Sequence, residues 1–353
     1  MSRQSRAAVA AIIGLLVGLG TLAGVILALR DAASDEDVSA EATTAAETVD
    51  TGTSPPIETT PVEQTRRVEV AGFPNAVAVG EGSVWVVRDG RRLLRIDPVT
   101  ATVVARVGVG DEIGSDRPCG VAVGAGAVWV ATQSGAIARV NPETNRVARL
   151  VDVDGAACVA VGSGGVWVTN PDLGIVVRVD PLTNEPVAQI PVDGTPLGIS
   201  TGFGAVWVAS PGSVDGFEGA VSRIDRRSNE VADTIPVPDG PEFLETGGRG
   251  VWVTSSNGTI RRIDPQTDEL LEPSIQIAEV GRTSLTVGGG SVWAAPIGAL
   301  GADADVSRID PRTEELEGEP VPIGDSPLGM AFGAGGLWVT NYEAGTVTVY
   351  APS

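Results

Sequence analysis

The segment GVAVGAGAVWVATQSGAIARVNPETNRVARLV, residues 120–151, decides the fold. It divides into four short apolar runs separated by Gly, Asn and Pro, and its last run alternates polar and apolar side chains. Runs of about 4–8 residues rich in β-branched side chains and bounded by such residues are typical of β-strands. The segment therefore predicts four short strands. No part of the chain after residue 65 keeps the 3.6-residue apolar period of a helix, so we expect almost no helix there.

The same unit recurs along the chain, and each copy carries one tryptophan. Successive tryptophans are 44, 38, 40, 45, 41 and 45 residues apart. Four strands repeating at that interval match the blade of a β-propeller. Residues 66–70 resemble a fourth strand with nothing before it, and the last copy supplies only three strands. Pairing these two ends closes the ring, which predicts an all-β, seven-bladed propeller over residues 66–353. The seven tryptophans are Trp85, Trp129, Trp167, Trp207, Trp252, Trp293 and Trp338.

Two residue types that recur with the period have both a structural and a functional interpretation. One tryptophan per blade favours packing, since an aromatic ligand cage needs several rings at one point. An acidic residue or Asn recurs at one position in six units, five times before Pro-x-Thr and once before Arg226-Arg227-Ser228. It suits a tight turn, in which its side chain accepts backbone hydrogen bonds. A metal site is the alternative, and turn chemistry is favoured because each residue lies on a separate hairpin tip. The six are Asp97, Asn141, Asp180, Asp225, Asp264 and Asp310.

The N-terminal region predicts a membrane anchor. Residues 7–29 are uncharged and largely apolar, long enough to cross a bilayer core of about 30 Å. Arg3 and Arg6 precede this segment, so residues 1–6 are expected in the cytoplasm and the propeller outside it. Residues 30–65 are acidic, rich in Ala, Thr and Pro, and predict a disordered linker. A cleaved signal peptide, which would release a secreted propeller, is the alternative, although its apolar core is normally shorter.

Missing residue types restrict the chemistry. The chain has no His, and all 24 basic residues are Arg. A Ser-His-Asp system, a Lys Schiff base and His-ligated zinc are therefore excluded. The net charge of −21 disfavours nucleic acid as a partner. We expect no cofactor, and Ca²⁺ or Mg²⁺ held by oxygen ligands is the alternative.

The two cysteines occupy nearly equivalent places in neighbouring units. Cys119 lies ten residues before its tryptophan, and Cys158 lies nine before the next one. An even pair outside the cytoplasm usually forms a disulfide, so we expect a Cys119–Cys158 bridge between two blades. Two free buried thiols are the alternative.

Insertions in the expected loops give the first set of candidate binding residues. The longer insertions are 108–118, 211–219 and 296–304, and they include Asp111, Arg117 and Asp215. Loops on a rigid scaffold often carry function. Solvation of an acidic rim is the alternative interpretation.

One blade departs from the small residue found seven positions before most of the tryptophans. Glu245 occupies that position in the fifth unit, and Glu242 lies near the start of the same strand. A carboxylate in a packed inner strand needs a partner, and Arg282 at the start of the next unit is a candidate. The three residues predict either an internal ion pair or a ligand site in the channel.

The repeat resembles a known group of extracytoplasmic seven-bladed propellers. The segments GAGAVWV at 124–130 and RIDPVT at 95–100 are similar to those of the YVTN, NHL and virginiamycin B lyase (streptogramin lyase) group. The resemblance covers residues 66–353 and implies the propeller fold. Streptogramin lyases are Mg-dependent and use a catalytic histidine, so without His no catalytic residue carries over and that activity is not expected.

Two function classes remain open. The first is a non-catalytic ectodomain that binds a protein, peptide or cell-envelope ligand for sensing or scaffolding. The second is a Ca²⁺- or Mg²⁺-dependent hydrolase or lactonase that uses channel carboxylates. An enzyme needs several oxygens from different blades aimed at one point, and the inner-strand candidates look scattered. The sequence therefore favours binding.

Overall fold

A computed structural model describes residues 62–88, 92–109, 119–132, 135–212, 219–279, 281–297 and 303–352. Every regular element in these residues is a β-strand. The predicted membrane segment 7–29, the tail before it and the linker up to residue 61 lie outside the described residues. In the part of the chain that is described, no helix is long and apolar enough to cross a membrane.

The described residues form 28 strands. In order they are β1 (Val62–Glu69), β2 (Pro74–Gly80), β3 (Ser83–Arg88), β4 (Arg92–Asp97), β5 (Thr102–Gly108), β6 (Val121–Gly124), β7 (Ala127–Ala131), β8 (Ala136–Asn141), β9 (Arg146–Asp152), β10 (Val159–Gly162), β11 (Gly165–Asn170), β12 (Ile175–Asp180), β13 (Glu185–Pro191), β14 (Ile199–Gly202), β15 (Ala205–Pro211), β16 (Gly219–Asp225), β17 (Glu230–Pro236), β18 (Pro241–Gly247), β19 (Gly250–Ser255), β20 (Thr259–Asp264), β21 (Glu269–Gln276), β22 (Thr283–Gly288), β23 (Ser291–Pro296), β24 (Asp303–Ile309), β25 (Val321–Asp325), β26 (Pro327–Gly333), β27 (Gly336–Asn341) and β28 (Thr346–Pro352).

These strands make seven four-stranded antiparallel sheets, which are the blades. Blades 1 to 6 each use four consecutive strands, starting with β2–β5, and blade 7 combines β26, β27 and β28 with β1. The innermost strands β2, β6, β10, β14, β18, β22 and β26 contact one another in cyclic order, and β26 contacts β2. The predicted seven-bladed propeller is therefore confirmed.

The ring closes through the first and last strands. The N-terminal strand β1 is the outermost strand of blade 7 and pairs with β28 from Val62↔Pro352 to Glu69↔Thr346. The strand begins at Val62, four residues ahead of the boundary predicted at residue 66. The register shifts between Gln64 and Arg66, so the pairing extends across an irregularity into the segment assigned to the linker.

The strand directions define two faces of the ring. We call the face where the innermost strands begin the top face; it carries the loops between blades and those between second and third strands. The bottom face carries the hairpins after the innermost strands and the Asp-turns after the third strands. Val62 and Pro352, which pair with each other, both lie at the bottom face.

The tryptophan side chains pack in the core of the propeller, one in each blade. All seven side chains are 0–1% exposed, so packing is their role, as predicted. Each indole Nε1 donates a hydrogen bond of 2.9–3.2 Å to the carbonyl of a glycine five residues earlier. The indole N–H is thereby satisfied inside the core.

The same seven glycines join each blade to the next. A Cβ added to any of them would lie 3.0 Å or closer to a side chain on the innermost strand of the following blade. The last contact, between Gly333 and Val79, completes the circle. A side chain larger than hydrogen at these positions would push neighbouring blades apart. The glycines are Gly80, Gly124, Gly162, Gly202, Gly247, Gly288 and Gly333.

The Asp-turn and an arginine join blades on the bottom face. Asp97 Oδ1 accepts hydrogen bonds from the amides of Val99 and Thr100, which hold the pKa of that carboxyl below its ordinary value. The turn interpretation is thus confirmed there. Arg95 lies over the Trp85 ring at 5.4 Å and donates to the Pro142 carbonyl at 2.7 Å. One side chain therefore stacks on its own blade and hydrogen-bonds to the next.

Candidate functional site

The innermost strands enclose a central channel with a cavity of about 380 Å³. Among the described residues that line it, the side chains on one side of the channel differ in polarity from those on the other. Blades 7, 1, 2 and 3 contribute apolar side chains, apart from the disulfide-bonded Cys119. All the hydroxyl and carboxyl groups of the wall come from blades 4, 5 and 6. The polar side chains are Ser200, Thr201, Glu245, Thr246, Ser284 and Thr286.

Glu245 is the ionisable group of this polar wall. It lies on β18, opposite Trp252 on β19, and faces blade 4. Its Oε2 accepts a hydrogen bond from Ser200 Oγ at 3.2 Å, and Ser200 Oγ lies 3.1 Å from Thr246 Oγ1. Burial raises the pKa of Glu245 to about 7, against the opposing effects of the Ser200 hydroxyl and the Thr246 backbone. Half of such carboxyls are therefore protonated near neutral pH.

Hydroxyl groups continue this network between blades. Thr246 Oγ1 donates to the Thr201 carbonyl at 2.9 Å, and Thr201 Oγ1 donates to the Val161 carbonyl at 3.2 Å. These bonds connect blades 5, 4 and 3 in sequence. They hold the innermost strands in register around Glu245, so the carboxyl sits in a fixed polar surrounding.

The predicted pairing of Glu245 with Arg282 is wrong. Arg282 Nε instead donates to Glu242 Oε2 at 2.5 Å, and the guanidinium lies over the Phe243 ring at 5.0 Å. The reason is depth: Glu242 and Arg282 both lie where an innermost strand begins, at the channel mouth. Glu245 is three residues farther along β18, which places it roughly 10 Å deeper. The ion pair and the channel carboxyl are thus separate features.

An aromatic pair also lies on the top face, and the sequence analysis missed it. Phe73 precedes β2, and Tyr342 follows β27. Their rings stack with centroids 5.1 Å apart, and Phe73 remains 45% exposed. The two residues are 269 positions apart and belong to adjacent blades at the closure of the ring. The sequence offers one indication of this pair, because each residue is an aromatic side chain within a loop of small or polar residues.

The predicted disulfide is present. Cys119 and Cys158 are bridged, with Cα atoms 4.9 Å apart, within the range that disulfides span. Cys119 lies two residues before β6 of blade 2, and Cys158 lies directly before β10 of blade 3. The Val159 amide donates a hydrogen bond to the Cys119 carbonyl at 3.1 Å. The bridge therefore fastens two blades at the channel mouth.

The predicted loop residues cannot be placed in this arrangement. Asp111, Arg117 and Asp215 lie outside the described residues. Within the described ranges, no group of three or more Asp, Glu, Cys or His side chains comes together in a way that could hold a metal ion.

No protein-family model matches the chain, and no curated protein matches it. The fold assignment accordingly rests on the strand order and the closed contacts described above.

Proposed function

We propose that this chain is a membrane-anchored, extracytoplasmic propeller that binds a protein or peptide through its top face and performs no catalysis. The observation that carries the proposal is the stacked Phe73–Tyr342 pair on the top face, in which the Phe73 ring is exposed. Sensing or scaffolding is the role that follows for such a module. The YVTN, NHL and virginiamycin B lyase-like group is the family we propose for it, on the blade motifs given above.

The chemistry of the top face supports this choice. Aromatic residues and Arg are the side chains that most often dominate binding energy at protein interfaces. Phe73 offers an exposed ring, and Arg282 is 39% exposed although paired with Glu242. The closed ring holds Phe73 and Arg282 in place, so little conformational entropy would be lost when a partner binds them.

The compartment and the anchor are part of the proposal. The apolar segment 7–29 with its preceding arginines supports an anchored chain whose propeller lies outside the cytoplasm. The Cys119–Cys158 bridge supports an oxidising compartment. The alternative of a secreted chain differs only in cleavage after the apolar segment, which N-terminal sequencing of the mature protein distinguishes.

The channel geometry favours binding over metal-dependent hydrolysis. A Ca²⁺- or Mg²⁺-dependent hydrolase or lactonase would use Glu242 and Glu245 as ligands. Glu242 is already paired with Arg282, while Glu245 lies deeper and bonds to Ser200. The two carboxylates do not converge on one point. Thermal unfolding of the full chain with Ca²⁺, Mg²⁺ or EDTA tests this: a metal-specific rise in Tm would favour the hydrolase.

A photo-crosslinking comparison tests the binding face. The full chain is produced in its native host with p-benzoylphenylalanine at position 73 or, as the matched control, at position 203. Phe203 is 49% exposed and lies in a hairpin on the bottom face, so residue type and exposure are similar and only the face differs. We expect a discrete crosslinked product from position 73 alone.

A second step measures affinity for the partner identified in that product. We expect Phe73→Ala to weaken binding by roughly tenfold or more, as a loss of about 1.4 kcal/mol or more at an interface anchor implies. Phe203→Ala should leave the affinity within about twofold. Equal crosslinking from both positions, or no product from position 73, would refute the assignment of the top face.

A further inference from the structure

The central channel has the dimensions and lining of a small-molecule site. Its volume of about 380 Å³ falls in the range of about 300–1,000 Å³ that is usual for ligand pockets. One side carries hydroxyl groups and a carboxyl on its side chains, while the lining side chains of the other side are apolar apart from the disulfide-bonded Cys119. The apolar side includes Ala78, Ala122, Ala160, Met330, Ala331 and Phe332. Such a division suits a ligand with one polar end and an apolar body.

The polar end of that ligand is specified by Glu245. No described residue forms an ion pair with this carboxyl, although eight ion pairs occur elsewhere in the described chain. The strands packed beside it, β14, β19 and β22, contain no ionisable residue. At the mouth of the channel, Glu242 and Arg282 neutralise each other. The ionised carboxylate therefore lacks a countercharge inside the channel.

We propose that the channel binds a small organic monocation, an ammonium group with an apolar body, whose charge contacts Glu245. The ammonium meets the carboxylate and the hydroxyls of Ser200 and Thr246 on the polar wall. The apolar body lies against the opposite wall, beside Ala78, Ala122 and Ala331. An inorganic cation would leave most of the volume and the whole apolar wall without a contact. Because these residues lie inside the channel, the inference is independent of the protein partner at the top face.

The proposal carries a defined pH dependence. A cation binds the ionised carboxylate, and a proton competes with it. Since burial raises the pKa of Glu245 to about 7, the ionised fraction falls about tenfold from pH 8 to pH 6. The apparent Kd of an ammonium ligand should increase about tenfold over the same interval, because affinity scales with the competent fraction. Alkylammonium and quaternary ammonium probes do not themselves titrate in this range, so the change reports the protein.

Isothermal titration of the full chain in mild detergent provides the test. The probes are choline, tetramethylammonium and butylammonium, with neohexyl alcohol as the uncharged carbon isostere of choline. We expect at least one ammonium probe to bind and the isostere to bind at least about tenfold more weakly. Glu245→Gln, which keeps the side-chain size, should abolish the preference for the charged probe. Glu143→Gln, at an exposed turn on the bottom face, is the matched control and should bind as the unmodified chain does.

Three results would overturn the proposal. The first is failure of all three ammonium probes to bind at pH 8. The second is binding that is equal in Glu245→Gln and in the unmodified chain. The third is Glu245-dependent binding of Na⁺ or Ca²⁺ without any ammonium binding, which would indicate an inorganic cation site. If Glu245→Gln unfolds, the pH profile of the unmodified chain decides alone, and a flat profile between pH 6 and pH 8 refutes the role of Glu245.

Discussion

Replacing Gly80 by Ala is expected to destabilise the junction between blades 1 and 2. The added Cβ would lie 2.6 Å from Cγ1 and 2.9 Å from Cβ of Val123, on the innermost strand of the next blade. Both distances are too short for carbon atoms, so the two blades must separate or Val123 must shift. Overpacking of this kind costs about 1–3 kcal/mol. Replacing Gly by Ala also lowers the entropy of the unfolded chain, which stabilises the folded state by about 0.4–1 kcal/mol. The net decrease in the free energy of unfolding is therefore roughly 1–2 kcal/mol.

Denaturant and thermal unfolding of the full chain measure this loss. A net change of that size should lower Tm by about 1.5–3 °C for a domain of this length. Gly108→Ala is the matched control, because Gly108 ends a strand of the same blade and its added Cβ would meet no atom within 4 Å. That variant should be neutral or more stable by about 0.4–1 kcal/mol.

A double variant identifies the contact responsible. Val123→Ala removes Cγ1, the nearer of the two clashing atoms, and leaves Cβ in place. Gly80→Ala combined with Val123→Ala should therefore lose less stability than the two single variants together, by about 0.5–1 kcal/mol. Two results would refute the reasoning: Gly80→Ala and Gly108→Ala unfolding alike, or the two single effects adding without interaction.

Three further predictions concern other parts of the ring. Replacing Cys119 and Cys158 by Ser should lower the free energy of unfolding by about 4 kcal/mol in the chain-entropy view, given their sequence separation of 39, and reductant should then have no further effect in denaturant titrations. Arg178→Ala should lower the free energy of unfolding by about 2 kcal/mol, because it removes hydrogen bonds to the Arg226 carbonyl at 2.9 Å and to Asn229 Oδ1 at 2.7 Å. In the same titration Arg178→Lys should recover only part of this loss, because Lys lacks the planar guanidinium. Full recovery would contradict that requirement. The pKa of Glu245 is raised to about 7 in the folded chain, so its contribution to stability is greatest below about pH 4.5 and falls by roughly 3 kcal/mol as the pH rises to about 7. Glu245→Gln should remove this part of the dependence of the unfolding free energy on pH, and an unchanged dependence would contradict the raised pKa.

The sequence predicts the features that each blade specifies locally. Trp129 and its neighbours recur at a fixed interval, and the role of Asp97 follows from the residues that come immediately after it. The closure of the ring was also predictable, because an orphan strand at one end matched a missing strand at the other. The Cys119–Cys158 bridge followed from the equivalence of two positions in adjacent units. Each of these inferences needs only the repeat and the chemistry of neighbouring residues.

Contacts between blades could not be predicted in the same way. Arg282 had two carboxylates on one strand within plausible reach, and only the depth along the channel decides between them. Phe73 and Tyr342 meet because the ring closes, although almost the whole propeller separates them in sequence. The contact between Gly80 and Val123 could not be predicted for a similar reason. A glycine just before a turn is explained by the hairpin alone, whereas the residue that it contacts on the next blade depends on the angle between the two sheets.

The closure through β1 also determines how the ring responds to mechanical load. Strand β1 begins at Val62 on the bottom face, whereas Phe73 and the channel mouth lie on the top face. A pull on Val62 away from the top face draws β1 lengthwise past β28. The seven paired positions then resist in shear and share the force, whereas a pull directed across the sheet would break the pairs one after another. A force applied at Val62 along the strand is therefore borne by the β1–β28 pairing in its stronger direction.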